Sequence, residues 1–279
     1  MGLTTLLHQR PHQSVVVKGP GRTLRTETLP LSCFKSIVKQ NKMIVRLRTT
    51  KIGKIRFASH RDIAKVWERS LRRAEIPLVY SEGFHPRPKI SFGLALPTGA
   101  ESECEYLDFH LDDKKYENSK IVAIPEVLTT ILPEGIEITG MVKMQNKYVS
   151  LQQSVTSTTW EIEVEENKEF VDEWVDHVLS SEELIIKRTR KGKEVVDDIR
   201  PYIREISVGQ GDLNRSTLQA ELKTQPRSLR PSEFLASAQP NLTMARLRRL
   251  KQFIDTGDNE IGPLELGERL NSDQELCPS

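Results

Sequence analysis

Between Ser59 and Leu111 the hydrophobic period switches from helical to strand-like, and this switch restricts the fold more than any other feature of the chain. Ile63, Val66, Trp67, Leu71 and Ala74 recur at helical spacing on one side of a helix predicted over 59–75. Arg61, Lys65, Arg69, Arg72 and Arg73 fall on the other side. Ser59, followed three residues later by Asp62, has the pattern in which side-chain oxygens satisfy free N–H groups of a first helical turn. After Pro77 comes LVYSEGFHPRPKISFGLALPTG, punctuated by Gly83, Pro86, Pro88, Pro97 and Gly99. This stretch predicts strands at 78–81 and 89–96, with Phe84, His85, Arg87 and Lys89 on a stiffened loop between them.

Extending the reading outward gives strand 43–49, a turn at Gly53, short strand 55–58, the helix, the two strands, strand 104–111, helix 117–131 and strand 136–144. Reduced to its main elements the order is βαββαβ, which suggests a ferredoxin-like α/β sandwich. The polar stretch 146–157 reads as a linker. Beyond it the order loosely repeats: strand 158–165, helix 167–179, strand 184–190, a Lys191–Gly192 turn, a strand or short helix over 194–208, strand 216–224 and helix 231–239. The expected fold class is therefore α+β, with two ferredoxin-like domains over 43–145 and 158–254, related by duplication. MARLRRLKQFID, residues 243–254, reads as a further basic helix. From Asp255 to the end there are seven acidic residues and one Arg, which predicts a disordered acidic tail over 255–279 that rests on a basic surface or stays free.

Residues 1–42 carry no sustained period and hold seven Lys or Arg against one Glu. A transit peptide is also basic and acid-poor, but Met43 directly precedes the first regular strand. We read 1–42 as a disordered or mispredicted extension. The remaining 34 basic and 38 acidic side chains make the body slightly acidic, so its basic character is local. No apolar run reaches eighteen residues, which argues against a spanning helix. Cys33, Cys104 and Cys277 are far apart in sequence and form no CxxC or CxxxCxxC pattern, so a reduced, cytoplasmic setting is expected, without a cysteine-held metal or cluster.

Five cations on one helix face repel one another unless a polyanion or an acidic partner is near, although an ordinary solvated face looks the same. Arg69, Arg72 and Arg73 are candidates for phosphate contacts, with Arg87 and Lys89 from the loop. Phe84 would stack on a base, beside Tyr80 and His85, a combination suited to single-stranded RNA. The hairpin KRTRKGKE adds Lys187, Arg188, Arg190, Lys191 and Lys193 as a basic finger. Weaker candidates for acid–base chemistry are His60, Asp62, His85 and Glu103. Glu101, Glu103, Glu105 and Asp108 cluster on or before strand 104–111. Such a cluster can bind a divalent ion, but the favoured reading is a charged sheet edge that blocks aggregation. GxxxxGKS, GxGxxG, GxSxG and HExxH are absent, so no cofactor is expected.

Ser59-His60, Arg69 to Arg73 with Ser70 in place of Ala, Tyr80 to Pro88, and Ser102 to Tyr106 stand in the order of a defining segment of one known family. With GKEVVDDIRPYI and LRPSEFLASA further on, the stretch from about 43 to 240 resembles the radical SAM-associated (radical SAM-linked) proteins, a domain of unknown function. The resemblance implies a radical SAM enzyme as partner. Lacking CxxxCxxC, this chain is not expected to generate radicals itself. By analogy with many radical SAM enzymes, the shared substrate would be RNA, either tRNA or rRNA. The combined expectation is a non-catalytic accessory protein without membrane attachment, the alternatives being an acid–base enzyme or a protein-only adaptor.

Overall fold

The computed structural model describes residues 42–112, 118–144, 150–190, 192–209 and 215–269. Apart from Lys42, the expected N-terminal extension lies outside them. The first half consists of β1 (Lys42–Lys51), α1 (His60–Arg73), β2 (Ile90–Phe92), β3 (Glu101–Asp112), α2 (Asn118–Ile121), α3 (Ile124–Thr129) and β4 (Ile138–Met144). The expected strand at 55–58 is instead a 3₁₀ turn, Gly53–Phe57. The expected single helix over 117–131 is two short ones. Pro125 has no amide hydrogen and is accommodated only in a first turn, where the second helix restarts.

The second half consists of α4 (Leu151–Ser154), β5 (Ser157–Val164), α5 (Lys168–Ser180), β6 (Ile185–Arg190), β7 (Lys193–Asp198), β8 (Ile203–Val208), β9 (Ser216–Lys223), α6 (Pro231–Leu235) and β10 (Met244–Asp255). The stretch expected as a linker contains α4, whose Leu151 is buried, as is Val155 just after it. β6 and β7 pair only with each other, as a separate two-stranded sheet.

One large, mostly antiparallel sheet runs through both halves in the order β12-β4-β1-β3-β10-β5-β9-β8, with β2 also on β3. Here β11 (Glu260–Ile261), on β10, and β12 (Gly267–Arg269) come from the acidic tail. Within each half every pairing is antiparallel. The halves meet where β3 and β10 run parallel, through only Arg248 opposite Glu101 and Arg249 opposite Ser102. Each half keeps its own core. Trp67 and Leu71 of α1 pack on Val45, Leu47, Leu107 and Phe109 in the first. In the second, Val171, Trp174 and Val178 of α5 pack with Trp160, Ile162 and Leu218.

Two expectations fail at the C-terminal end. Residues 243–254 form a strand inside the sheet, not a helix. Its buried positions are Leu247, Arg249, Gln252 and Ile254, so half of its inward side chains are polar. Two irregularities in its register with β5 break the alternation further. The apolar residues alone therefore mimic a helical period. Nor is 255–269 a free tail. After β11 a 3₁₀ turn, Pro263–Leu266, crosses the sheet face of the first half that α1 leaves open. There Leu264 and Leu266 pack against Ile44, Val142 and Met144, and β12 pairs with β4. A Cβ on Gly267 would lie 2.5 Å from Val142, so this close pairing requires glycine. Glu260 pairs with Arg204 of β8, so one tail carboxylate does rest on a cation. Residues 270–279 lie outside the described residues.

The crossing is anchored by a buried ion pair. Arg46 donates to both carboxylate oxygens of Asp108, at 2.7 and 2.9 Å, and its Nη1 donates to the Pro263 carbonyl at 3.0 Å. Both side chains are almost fully buried, at 0% and 1% exposure. Breaking one partner leaves the other charge unpaired. Asp108→Ala is expected to cost about 3–5 kcal/mol, while Arg46→Met with Asp108→Leu recovers most of that loss. Urea denaturation of the three proteins checks this; a double variant no more stable than the single one contradicts it.

Candidate nucleic-acid interface

The loop from Tyr80 to Lys89 is a hairpin whose stem is fixed by the backbone. Val79 N–H donates to the His110 carbonyl, Lys89 N–H to the Val79 carbonyl and Ser81 N–H to the Arg87 carbonyl, each at 2.8 Å. The Ser81 hydroxyl accepts from the Arg87 N–H at 3.0 Å. Above this stem Glu82 to Arg87 are exposed, and Gly83 turns the chain at φ 129°. Phe84 is fully exposed, at 102%, and Tyr80 is 44% exposed. An apolar ring with no cover, on a stem that does not need it for packing, is free to meet another molecule. His85 and Arg87 share the exposed tip, and Lys89 lies partly buried in the stem.

The cationic stripe lies on the exposed side of α1, with Trp67, Ser70 and Leu71 buried opposite. The Ser59 hydroxyl oxygen accepts the Asp62 N–H at 3.2 Å and donates to the Asp62 carboxylate at 2.7 Å. That short bond, together with Lys65, lowers the Asp62 pKa. Lys65 stands 3.8 Å from Asp62. Arg61, Arg69, Arg72 and Arg73 have no ion pair among the described residues. Arg72 and Arg73 occupy the last turn, after which Glu75, at φ 54°, reverses the chain toward Leu78 and the hairpin. Five residues separate Arg73 from Val79, a reach of at most about 20 Å.

The four acid–base candidates are not brought together. His60 packs edge-on against Phe92, with ring centroids 5.2 Å apart. It lines a cavity of about 40 Å³, room for a water or two, along with Lys51, Glu105 and Tyr106. Asp62 is tied up in the helix cap, His85 is on the hairpin tip and Glu103 pairs with Arg248. Burial pushes Tyr106 up to about 12 and Cys104 up to about 11, so neither ionises near neutrality. Burial lowers Lys51, whose ammonium donates to the Ala58 carbonyl at 2.9 Å.

Glu101, Glu103 and Glu105 of β3 are not at a sheet edge, as expected above, but at the seam between the halves, while Asp108 is the buried partner of Arg46. Glu101 is 1% exposed. It accepts from Gly53 N–H at 3.0 Å, Arg56 at 3.3 Å, Arg246 at 2.7 Å and Arg248 at 3.0 Å. Glu105 pairs with Arg249. Among the described residues, no group of three or more His, Cys, Asp or Glu is arranged to hold a metal ion. Arg246, Arg248 and Arg249 were missed as partners because their strand read as a helix.

The basic finger is β6–β7. Arg188 pairs with Asp197 at 2.5 Å, and Lys187 lies 3.8 Å from Glu194, so half of the ladder opposes its charge. Lys193 is exposed, the Arg190 backbone ends β6, and Lys191 lies outside the described residues.

A family model described as "Uncharacterized protein conserved in bacteria (DUF2344)" matches residues 45–231. It ends before β10. No curated protein matches the sequence. A chain of the crystal structure of a Cbf5-Nop10-Gar1 complex is similar at 10% identity with a TM-score of 0.40, over 75% of this chain. It is covered over 48% of its own length, so the present chain spans about half of it. Among the described residues no helix is long and apolar enough to cross a membrane.

The seam has a pH signature. Burial alone would raise the Glu101 pKa, but the Gly53 amide and the Arg246 and Arg248 guanidinium groups outweigh it and hold the carboxyl down, from 4.5 to about 2. A depressed carboxyl contributes stability above its unfolded pKa and loses it as pH falls through the folded one. The contribution, up to roughly 3 kcal/mol, is therefore present above pH 4.5 and fades between 4.5 and about 2. Urea midpoints at pH 7, 4.5 and 2.5 should show a shallower acid loss in Glu101→Gln. Identical slopes would refute the assignment.

Proposed function

We propose that the chain, which belongs to the family just described, is a non-catalytic accessory protein that binds single-stranded RNA through the hairpin tip and the exposed face of α1. The observation that carries this reading is the fully exposed Phe84 on a braced stem. Near it along the chain are arginines without carboxylate partners among the described residues. An aromatic face plus unpaired guanidinium groups meets the two needs of a flexible strand: a surface for base stacking, worth about 1–3 kcal/mol, and cations for phosphates. In this reading Arg69, Arg72, Arg73, Arg87 and Lys89 hold phosphates, Phe84 and Tyr80 stack, and His85 adds a polar edge contact. Arg190, Lys191 and Lys193 give a second, weaker basic contact.

Two finer readings belong to the same proposal. The radical SAM partner, with tRNA or rRNA as shared substrate in the cytoplasm, is supported by the motif resemblance alone. A ferredoxin-like duplication is supported by the strand order: in each half the fourth main strand flanks the first, the first flanks the third, and the third flanks the second. Acid–base catalysis finds less support, because His60, Asp62 and Glu103 are engaged in separate places and His85 stands on the exposed hairpin tip.

Fluorescence anisotropy with a labelled 12-nucleotide RNA tests the reading. Log affinity should fall against log salt with a slope of about −0.7 per phosphate contact. Phe84→Ala should weaken binding about 5- to 150-fold with little change in slope. Arg69, Arg72 and Arg73 changed together to Ala should flatten the slope by about 2. Absence of binding at low salt, with a nuclease-resistant protein complex recovered by Phe84-dependent pull-down, would replace RNA by a protein partner.

A further inference from the structure

The largest cavity described lies away from the hairpin, between the halves, at about 570 Å³, within the range of about 300–1,000 Å³ usual for small-molecule sites. We propose that it binds a small amphipathic acid: an organic molecule with a compact apolar body and one anionic head. Leu94 and Leu96, from the loop after β2, line it together with Trp160 of β5 and Leu247 of β10. Neither half encloses the space alone.

The polar groups set the sign of the ligand. Among the described residues, no Asp or Glu lines the cavity. Arg249, 1% exposed, lies across the Trp160 ring at 5.3 Å and lines the cavity. Its Nη2 donates to the Leu94 carbonyl at 3.0 Å and contacts Glu105, while its buried Nε–H has no hydrogen-bond partner among the described residues. An unpartnered buried donor is costly and marks hydrogen-bonding capacity that the protein itself leaves unused. Arg230 stands exposed on the lining, with no ion pair among the described residues, and Ser228 and Ser232 add hydroxyls beside it. The charge of Arg249 is met by Glu105, which leaves Arg230 as the cation of the lining without an ion pair among the described residues. A site with apolar walls, one such guanidinium group and no carboxylate among its described lining residues favours an anion carrying an apolar body over a cation, a neutral sugar or a bare phosphate. The head sits by Arg230 and the serines, and the body lies against Leu96 and Leu247.

The head can be a carboxylate or a phosphate, and the experiment separates them. With 8-anilinonaphthalene-1-sulfonate as a fluorescent reporter on the full chain, octanoate, octyl phosphate and uncharged octanol compete in parallel. At least one acid should displace the reporter saturably, the more effective one naming the head, with octanol at least tenfold weaker. Arg230→Ala should weaken that acid about tenfold. Ala95→Trp, on an exposed lining position, should abolish binding by filling the space. Unchanged melting curves keep both variants interpretable, and either one suffices if the other does not fold. Displacement by octanol as strong as by either acid, no displacement at all, or undiminished binding in the folded variants overturns the proposal. None of these results depends on RNA binding.

Discussion

The ion cluster at Glu101 is the interaction on which the rest of the architecture depends. The halves share only two directly paired residues along the parallel β3–β10 contact, too short a ladder to hold them in register. Glu101 compensates. Almost fully buried, it collects the Gly53 amide and the Arg56, Arg246 and Arg248 guanidinium groups, tying the turn after β1 to the strand that closes the second half. In a low-dielectric site such a carboxylate is tolerated only because its oxygens are satisfied by N–H donors from several directions.

Fixing that seam also places Arg249. One residue beyond Arg248, it is carried to the space between the halves, where it pairs with Glu105, lies over Trp160 and lines the cavity. Independently of the seam, on the open face of the first half, Arg46 and Asp108 hold the crossing segment at Pro263, so that a stretch rich in carboxylates ends as part of the sheet. Three buried or nearly buried arginine–carboxylate contacts thus decide which surfaces meet. Apolar burial supplies the larger driving force within each half but does not choose how the halves join.

The hairpin and α1 are organised differently. Their order comes from local backbone bonds, a helix cap and glycine and proline placement, all readable from nearest neighbours. For that reason Ser59 as a cap, the buried face with Trp67, the cationic face and the exposed loop were all legible in the sequence. The exposure of Phe84 was not, since the same ring could equally have packed into the core. The Glu101–Glu105 run was legible as a cluster but misread as an edge, because the neighbour that covers it, β10, is about 145 residues away in sequence.

By itself the sequence determined the elements whose signals are local: the capped helix, the braced hairpin, the alternating strands β1, β3 and β5 and the order βαββαβ in the first half. Only the tertiary structure decided that residues 243–254 are a strand and that the acidic stretch completes a sheet. Periodicity reports which residues face a core only when inward positions are apolar. In β10 the inward positions include Arg249 and Gln252, made tolerable by Glu105 and the Cys104 carbonyl, to which the Gln252 amide donates at 2.6 Å. Those partners come from the other half of the chain, and no local pattern in the strand itself encodes them.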